Sequence, residues 1–249
     1  ADLKAIHLIH NESFFPWVRS SLDEKIINIW VDTKGESTAY DGVEIDAQEM
    51  PDYRASYIDN VLNKLDYILD CDFNYVTNKK DANITLMEHI NAIPGETYGG
   101  RCSYNTTDGV MDHEVVITNK SIRSNSNWWK HLILHEIGHA LHLEHPFDND
   151  DDDFYGNEDY VTDTHTVMAY GDPVNSLSYS SWYRSIDLEA LKSIWGEETG
   201  NPATAINFSS SSFNENISIN SVVSTLSSSD NDPLDTHTYA LVNGSGDTD

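Results

Sequence analysis

Residues 135–145 read His-Glu-Ile-Gly-His-Ala-Leu-His-Leu-Glu-His, and this stretch restricts the fold more tightly than any other in the chain. On a helix, positions i and i+4 share a face, so His135 and His139 can aim imidazole nitrogens at one ion. Glu136 lies one residue round the helix, beside such an ion rather than on it. There it can take a proton from water that the metal has acidified to a pKa of about 7. His145 stands six residues past His139, beyond the reach of a continuing helix. The chain must turn sharply after Leu141 if His145 is to be the third ligand. Three protein nitrogens with a fourth position open is the pattern of a catalytic zinc site rather than a structural one. A surface helix carrying two histidines would also match H-E-x-x-H, but the third histidine and the downstream Thr166-Val167-Met168-Ala169-Tyr170 element weigh against that reading.

The flanking segments read as alternating helix and strand. Ile26 to Asp32 is apolar and β-branched, as a buried strand requires. Asp52 can cap a helix whose Ile58, Val61, Leu62, Leu65, Ile68 and Leu69 recur at helical spacing. Asp72 to Val76 and Asn83 to Met87 read as strands. Thr97 to Tyr104 and Glu114 to Thr118 read as a pair around the turn Thr107-Asp108-Gly109. Ser124 or Ser126 can cap the helix that begins at Trp128 and carries the histidines. A third helix, Ile186 to Trp195, is predicted to stop at Gly196. The expected class is α+β, with helices layered on a sheet.

The long histidine motif followed by a methionine turn resembles the metzincin proteases. Within that clan, HEIGHALHLEHP, TVMAYGD and SIDLEALKSIWG are most similar to the serralysins. The resemblance spans about residues 26–196. It implies a twisted, mainly parallel five-stranded sheet, an active-site helix and a smaller lower subdomain. It also implies a broad-specificity, secreted, extracellular zinc endopeptidase. Carried over by position, Met168 is an apolar floor beneath the ligands, Tyr170 stabilises the oxyanion, and Thr97 to Tyr104 is the edge strand that pairs with substrate. Three features depart from the pattern. His142 stands where the family has glycine, at a turn needing positive φ and costing a non-glycine residue about 1 kcal/mol. Glycine at 142 should therefore relieve strain. His142 is also an alternative third ligand. Calcium-binding glycine repeats do not follow, and Cys71 and Cys102 have no counterpart.

With 42 acidic and 14 basic residues the net charge is -28, which makes nucleic acid and anionic membranes poor partners. A protein or peptide substrate is expected. No run of about 20 apolar residues provides a membrane span. Asp2, Glu12, Asp23 and Glu24 exclude a signal peptide at the start, so the chain reads as a mature or trimmed product. Cys71 and Cys102 are either two thiols or one disulfide, and export favours the disulfide. Asp148 to Asp153, broken only by Asn149, with Glu158 and Asp159, either offers hard oxygen ligands for a second cofactor, Ca²⁺, or is a solvated run of like charge, since no glycine stands at the EF-hand turn position. His131, one turn before His135, is either a supporting partner or a histidine without a role.

Composition changes at Gly200-Asn201-Pro202. All Lys and Arg residues lie before it, whereas 201–249 is rich in Ser, Asn, Thr and Asp. We place a catalytic domain at 1–200 and an incomplete β-sandwich segment at 201–249. Ile217 to Leu226 and Thr238 to Val242 are its predicted strands. This tail weakly resembles bacterial cadherin-like repeats, which implies adhesion-type partner domains beyond it. The alternative to a protease is an inactive, zinc-stabilised adhesion module, against which the retained Glu136, Met168 and Tyr170 argue.

Overall fold

The computed structural model describes residues 3–10, 22, 25–89, 99–105, 111–118, 126–148, 155, 161–162, 164–169, 179–198, 205–212, 214–229 and 239. The chain divides into two compact units, 1–198 and 199–249.

The first unit is a mixed α/β structure around a mainly parallel sheet. Its strands are β1 (Ile26–Val31), β2 (Ala39–Tyr40), β3 (Val43–Glu44), β4 (Ala47–Gln48), β5 (Asp72–Tyr75), β6 (Ile84–His89), β7 (Gly100–Asn105) and β8 (Asp112–Thr118). Its helices are α1 (Asp52–Asp66), α2 (Ser126–Ala140) and α3 (Ser185–Trp195). The main path runs β5-β1-β6-β8-β7, and short β4, pairing with the end of β6, makes the sheet six-stranded rather than five-stranded. β1, β5, β6 and β8 are mutually parallel, while β7 lies antiparallel to β8 at the edge.

Two faces of this sheet are covered, which explains why β6 is buried at every position. Ile84, Leu86, Val115 and Ile117 point into the main core with Ile58, Leu62, Leu65, Ile133 and Ile137 from the helices. One residue out of phase, Met87 and Val116 face the other way and meet Tyr40 and Ile45. Trp129, near the start of α2, packs edge-on against Tyr53 and Tyr57 of α1, with ring centroids 5.4 and 5.1 Å away. A buried ion pair between Arg54 of α1 and Glu88 of β6 ties helix to sheet.

Several boundaries differ from the sequence reading. Pro51, not Asp52, precedes the first helical residue of α1, and it forms no side-chain cap. Gly196 does end α3, at φ 96°. The Thr107-Asp108-Gly109 turn lies outside the described residues, as do Thr97 and Tyr98. Cys71 and Cys102 are both free. Cys71 immediately precedes β5 and Cys102 sits on β7, four strand spacings away. That separation is about 19 Å, far beyond what a disulfide spans.

In the second unit, β9 (Ala205–Phe208) pairs antiparallel with β10 (Leu226–Ser229). The alternation from Ile217 to Thr225 does not make a strand. Ile219 is 93% and Val222 80% exposed, so no packed layer among the described residues selects one face for burial. Of Thr238 to Val242 only Tyr239 is described, donating its hydroxyl to Ser228.

Candidate metal centre

The end of α2 builds the site. Leu143 N–H bonds the Gly138 carbonyl at 2.9 Å, and His142 N–H bonds the His139 carbonyl at 2.8 Å. These two bonds define a Schellman closure with His142 at the left-handed position, φ 71°. The sharp turn after Leu141 is therefore made by His142. An antiparallel bridge from Ile9 to Leu143 then holds the exiting chain. Leu8 accepts from Glu144 N–H at 2.9 Å and His10 N–H donates to the His142 carbonyl at 3.2 Å.

The turn brings His145 to His135 and His139. Their Nε2 atoms are 3.1 Å (135–139), 3.0 Å (139–145) and 3.2 Å (135–145) apart. These short contacts are not hydrogen bonds, because each ring's proton is committed at Nδ1. His135 Nδ1 donates to the Val167 carbonyl at 2.7 Å and His139 Nδ1 to the Leu143 carbonyl at 2.8 Å. His145 Nδ1 donates to Asp148 Oδ2 at 2.8 Å. Carbonyl and carboxylate oxygens can only accept, so the tautomer follows from the partner. Three Nε2 lone pairs thus converge on one point. That arrangement is repulsive alone and favourable around a cation. Tetrahedral nitrogen ligands at 2.0–2.1 Å from a metal stand about 3.3 Å apart, close to the observed edges. The three histidines can hold a metal ion.

Electrostatics agree. Burial first, then repulsion from its two neighbours, holds His135 well below the ordinary histidine range. His139 is held down to about 3 by burial first and then by repulsion from His145. Both stay neutral and able to ligate. Burial pushes the Asp148 carboxyl up, but its bonds to His145 and the charge of His145 and His139 together hold it below its usual range.

Glu136 is buried beside the triad, and its Oε2 has no hydrogen-bond partner among the described residues. Burial pushes its carboxyl up to about 8, opposed by Arg101. A cation at the triad would oppose that shift further. Glu136 lies against the edge strand: a Cβ on Gly100 would come within 2.7 Å of its Oε1. Met168 is fully buried, and a Cβ on Gly138 would come within 2.6 Å of its sulfur. Tyr170 lies outside the described residues.

His142, the alternative ligand, points away. Its Nε2 meets His113 Nε2 at 3.2 Å, and it belongs to no metal-binding group among the described residues. His131 is buried with its ring 6.4 Å from that of His135 and 5.3 Å from that of Tyr179. Asp148, read in sequence as part of a calcium cluster, accepts from His145 Nδ1 through Oδ2. Residues 149–153, Glu158 and Asp159 lie outside the described residues. Sequence reasoning missed Gly100, Asp148 as a second-layer acceptor, and Asp187, a buried carboxylate bonded to Thr166 and Val167. Only Asp187 carried a signal, as an acidic residue in the first turn of a helix just after the methionine turn.

No protein-family model matches the chain, and no curated protein matches it. Among solved structures it is similar to the GM1-bound ECX AB5 holotoxin, at 10% identity and TM-score 0.44, covering 78% of this chain and 86% of that one. It is also similar to myroilysin, at 15% identity and TM-score 0.42, covering 72% and 97%.

Proposed function

We propose that the chain is a secreted zinc endopeptidase of metzincin type, most like the serralysins, that hydrolyses peptide bonds of extracellular proteins. The observation that carries this reading is the convergence of three unprotonated Nε2 atoms beside the buried, unpartnered Oε2 of Glu136. An all-imidazole set of this size suits zinc. A bound zinc ion would supply Lewis acidity toward the scissile carbonyl and acidify water at the site.

The chain's own residues do the rest. His135, His139 and His145 would hold the ion. Glu136 takes a proton from the attacking water and returns it to the leaving amine. A raised carboxyl pKa suits a group that must both accept and donate near neutrality. β7, with Gly100 against Glu136, is the edge along which an extended peptide can add as a strand. Tyr170 is assigned to the oxyanion and Met168 to the floor beneath the ligands. The acidic run from Asp148 is a proposed calcium site, and 201–249 is proposed to be an adhesion-type β segment.

Digestion of casein with and without a chelator tests the reading, alongside Glu136→Gln. The variant should retain zinc at near full occupancy and lose activity by about 10²–10⁴. Loss of zinc from it would remove Glu136 from the role of base. Chelator-resistant digestion, or none by the zinc-loaded chain, would remove the proposal.

A further inference from the structure

We propose that Asp187 is a positioning residue for the metal centre, acting on His135 through the Thr166 hydroxyl and the peptide between Val167 and Met168. This rests on the reading of His135 as a metal ligand. Four groups form one continuous chain of bonds. His135 Nδ1–H donates to the Val167 carbonyl at 2.7 Å. The N–H of the same peptide unit, on Met168, donates to Thr166 Oγ1 at 3.0 Å. Thr166 Oγ1–H donates to Asp187 Oδ1. Every donor points toward the carboxylate, so each bond polarises the next and strengthens it. The negative end of the chain is Asp187 and its positive end is the imidazole. An imidazole whose Nδ1–H is drawn toward a negative group is a better donor at Nε2, which is how outer-layer carboxylates tune histidine ligands. Here a peptide and a hydroxyl stand between the two.

The two oxygens of Asp187 divide the work. Oδ2 accepts from Val167 N–H at 3.2 Å and from Arg184 N–H at 2.7 Å, which joins the methionine turn to the start of α3. Oδ1 ends the path from His135. A purely structural role for Asp187 would be met by Oδ2. Thr166, Val167, Met168 and Asp187 are all fully buried, so water does not compete for these bonds. The hydroxyl of Thr166 is the one link that can be cut without disturbing Oδ2.

The test uses the full chain, loaded with Zn²⁺ or with Co²⁺ as a spectroscopic probe. Thr166→Val removes the hydroxyl in nearly the same volume, and Thr166→Ser keeps it. Thr166→Val should bind Zn²⁺ about tenfold or more weakly and shift the visible absorption of bound Co²⁺, while Thr166→Ser stays within about twofold of the parent. Equal affinity and an unchanged cobalt spectrum in Thr166→Val would overturn the relay. If Thr166→Val does not fold, Thr166→Ala cuts the same link. Nitrogen NMR of the metal-loaded parent needs no variant: His135 Nδ1 should carry a slowly exchanging proton, and a bare Nδ1 would overturn the relay. His135→Ala is the control on the underlying reading. If it binds Zn²⁺ as tightly as the parent, the assignment of the metal centre fails, and not the relay alone.

Discussion

The imidazole of His142 faces that of His113 at 3.2 Å, from a backbone held at φ 71°. Sequence alone suggests that glycine at 142 would relieve strain and stabilise the fold by up to about 1 kcal/mol. The structure reverses that expectation. The side chain is fully buried, near the rings of Tyr104, His113 and Trp195, so deleting it opens a cavity and strips His113 of its Nε2 partner. A cavity from a large buried side chain costs about 2–5 kcal/mol, which exceeds the strain relieved. His142→Gly should therefore lose about 1–3 kcal/mol in denaturant unfolding. Its zinc affinity should stay near that of the parent, since the ligand triad does not include it. His145→Ala should do the opposite, losing metal first.

The same pair predicts a pH dependence. Burial holds His113 down at about 4, against a smaller opposing effect at the Asp112 backbone, and His142 is lowered too. A histidine depressed in the fold binds its proton more readily when unfolded. The stability it contributes is complete above pH 6.5 and is lost as pH falls toward 4. For His113 that loss is roughly 3 kcal/mol. Asp187, raised by burial to about 6, works in the other direction over part of the window. The comparison that isolates His113 is therefore parent against His113→Gln, by urea unfolding from pH 7 to 4 with a chelator present. The variant should show the shallower acid loss, and equal slopes would mean that His113 does not titrate in this way.

Gly100→Ala should injure chemistry while sparing metal binding. The added Cβ would stand 2.7 Å from Glu136 Oε1 and 2.8 Å from its Cγ. Glu136 is nearly enclosed, so its carboxylate must shift or β7 must move. A displacement of about 1 Å in a catalytic group can cost roughly 10² in rate. Peptide turnover should fall by that order with zinc content unchanged, whereas full activity would place the working position of Glu136 elsewhere.

These contacts show where the sequence was legible. The strands from Ile26 and Ile84 and the helix from Asp52 follow local periodicity, and each is present within a few residues. The triad was readable because i, i+4 spacing and a terminated helix leave little freedom to His135, His139 and His145. The partner of His142 was not readable, because His113 lies 29 residues away, on β8. Nor was the tail: Ile217 to Thr225 alternates as a strand does, but alternation becomes a strand only when something covers one face. Gly100 was equally silent, since its importance lies in the absence of a side chain beside Glu136.

Gly138→Ala sets two known effects against each other. In a helix interior, alanine is favoured over glycine by about 1 kcal/mol. Here the new Cβ would lie 2.6 Å from Met168 Sδ, 3.4 Å from its Cε and 3.5 Å from Leu143 Cδ1. Methionine normally yields to such pressure through its flexible thioether. Met168 has little room to do so: it is fully buried, and its N–H is tied to Thr166. Overpacking in such a place costs about 1–3 kcal/mol, so the single variant should be neutral to destabilised by about 2 kcal/mol. Met168→Ala alone should also destabilise, because it empties the floor beneath α2. In that background the clash is gone and only the helix preference is left, so adding Gly138→Ala should now stabilise by up to about 1 kcal/mol. The coupling measured by this double-mutant cycle reads the contact directly. A Gly138→Ala effect of the same sign and size in both backgrounds would mean that Met168 does not press on the helix between His135 and His139.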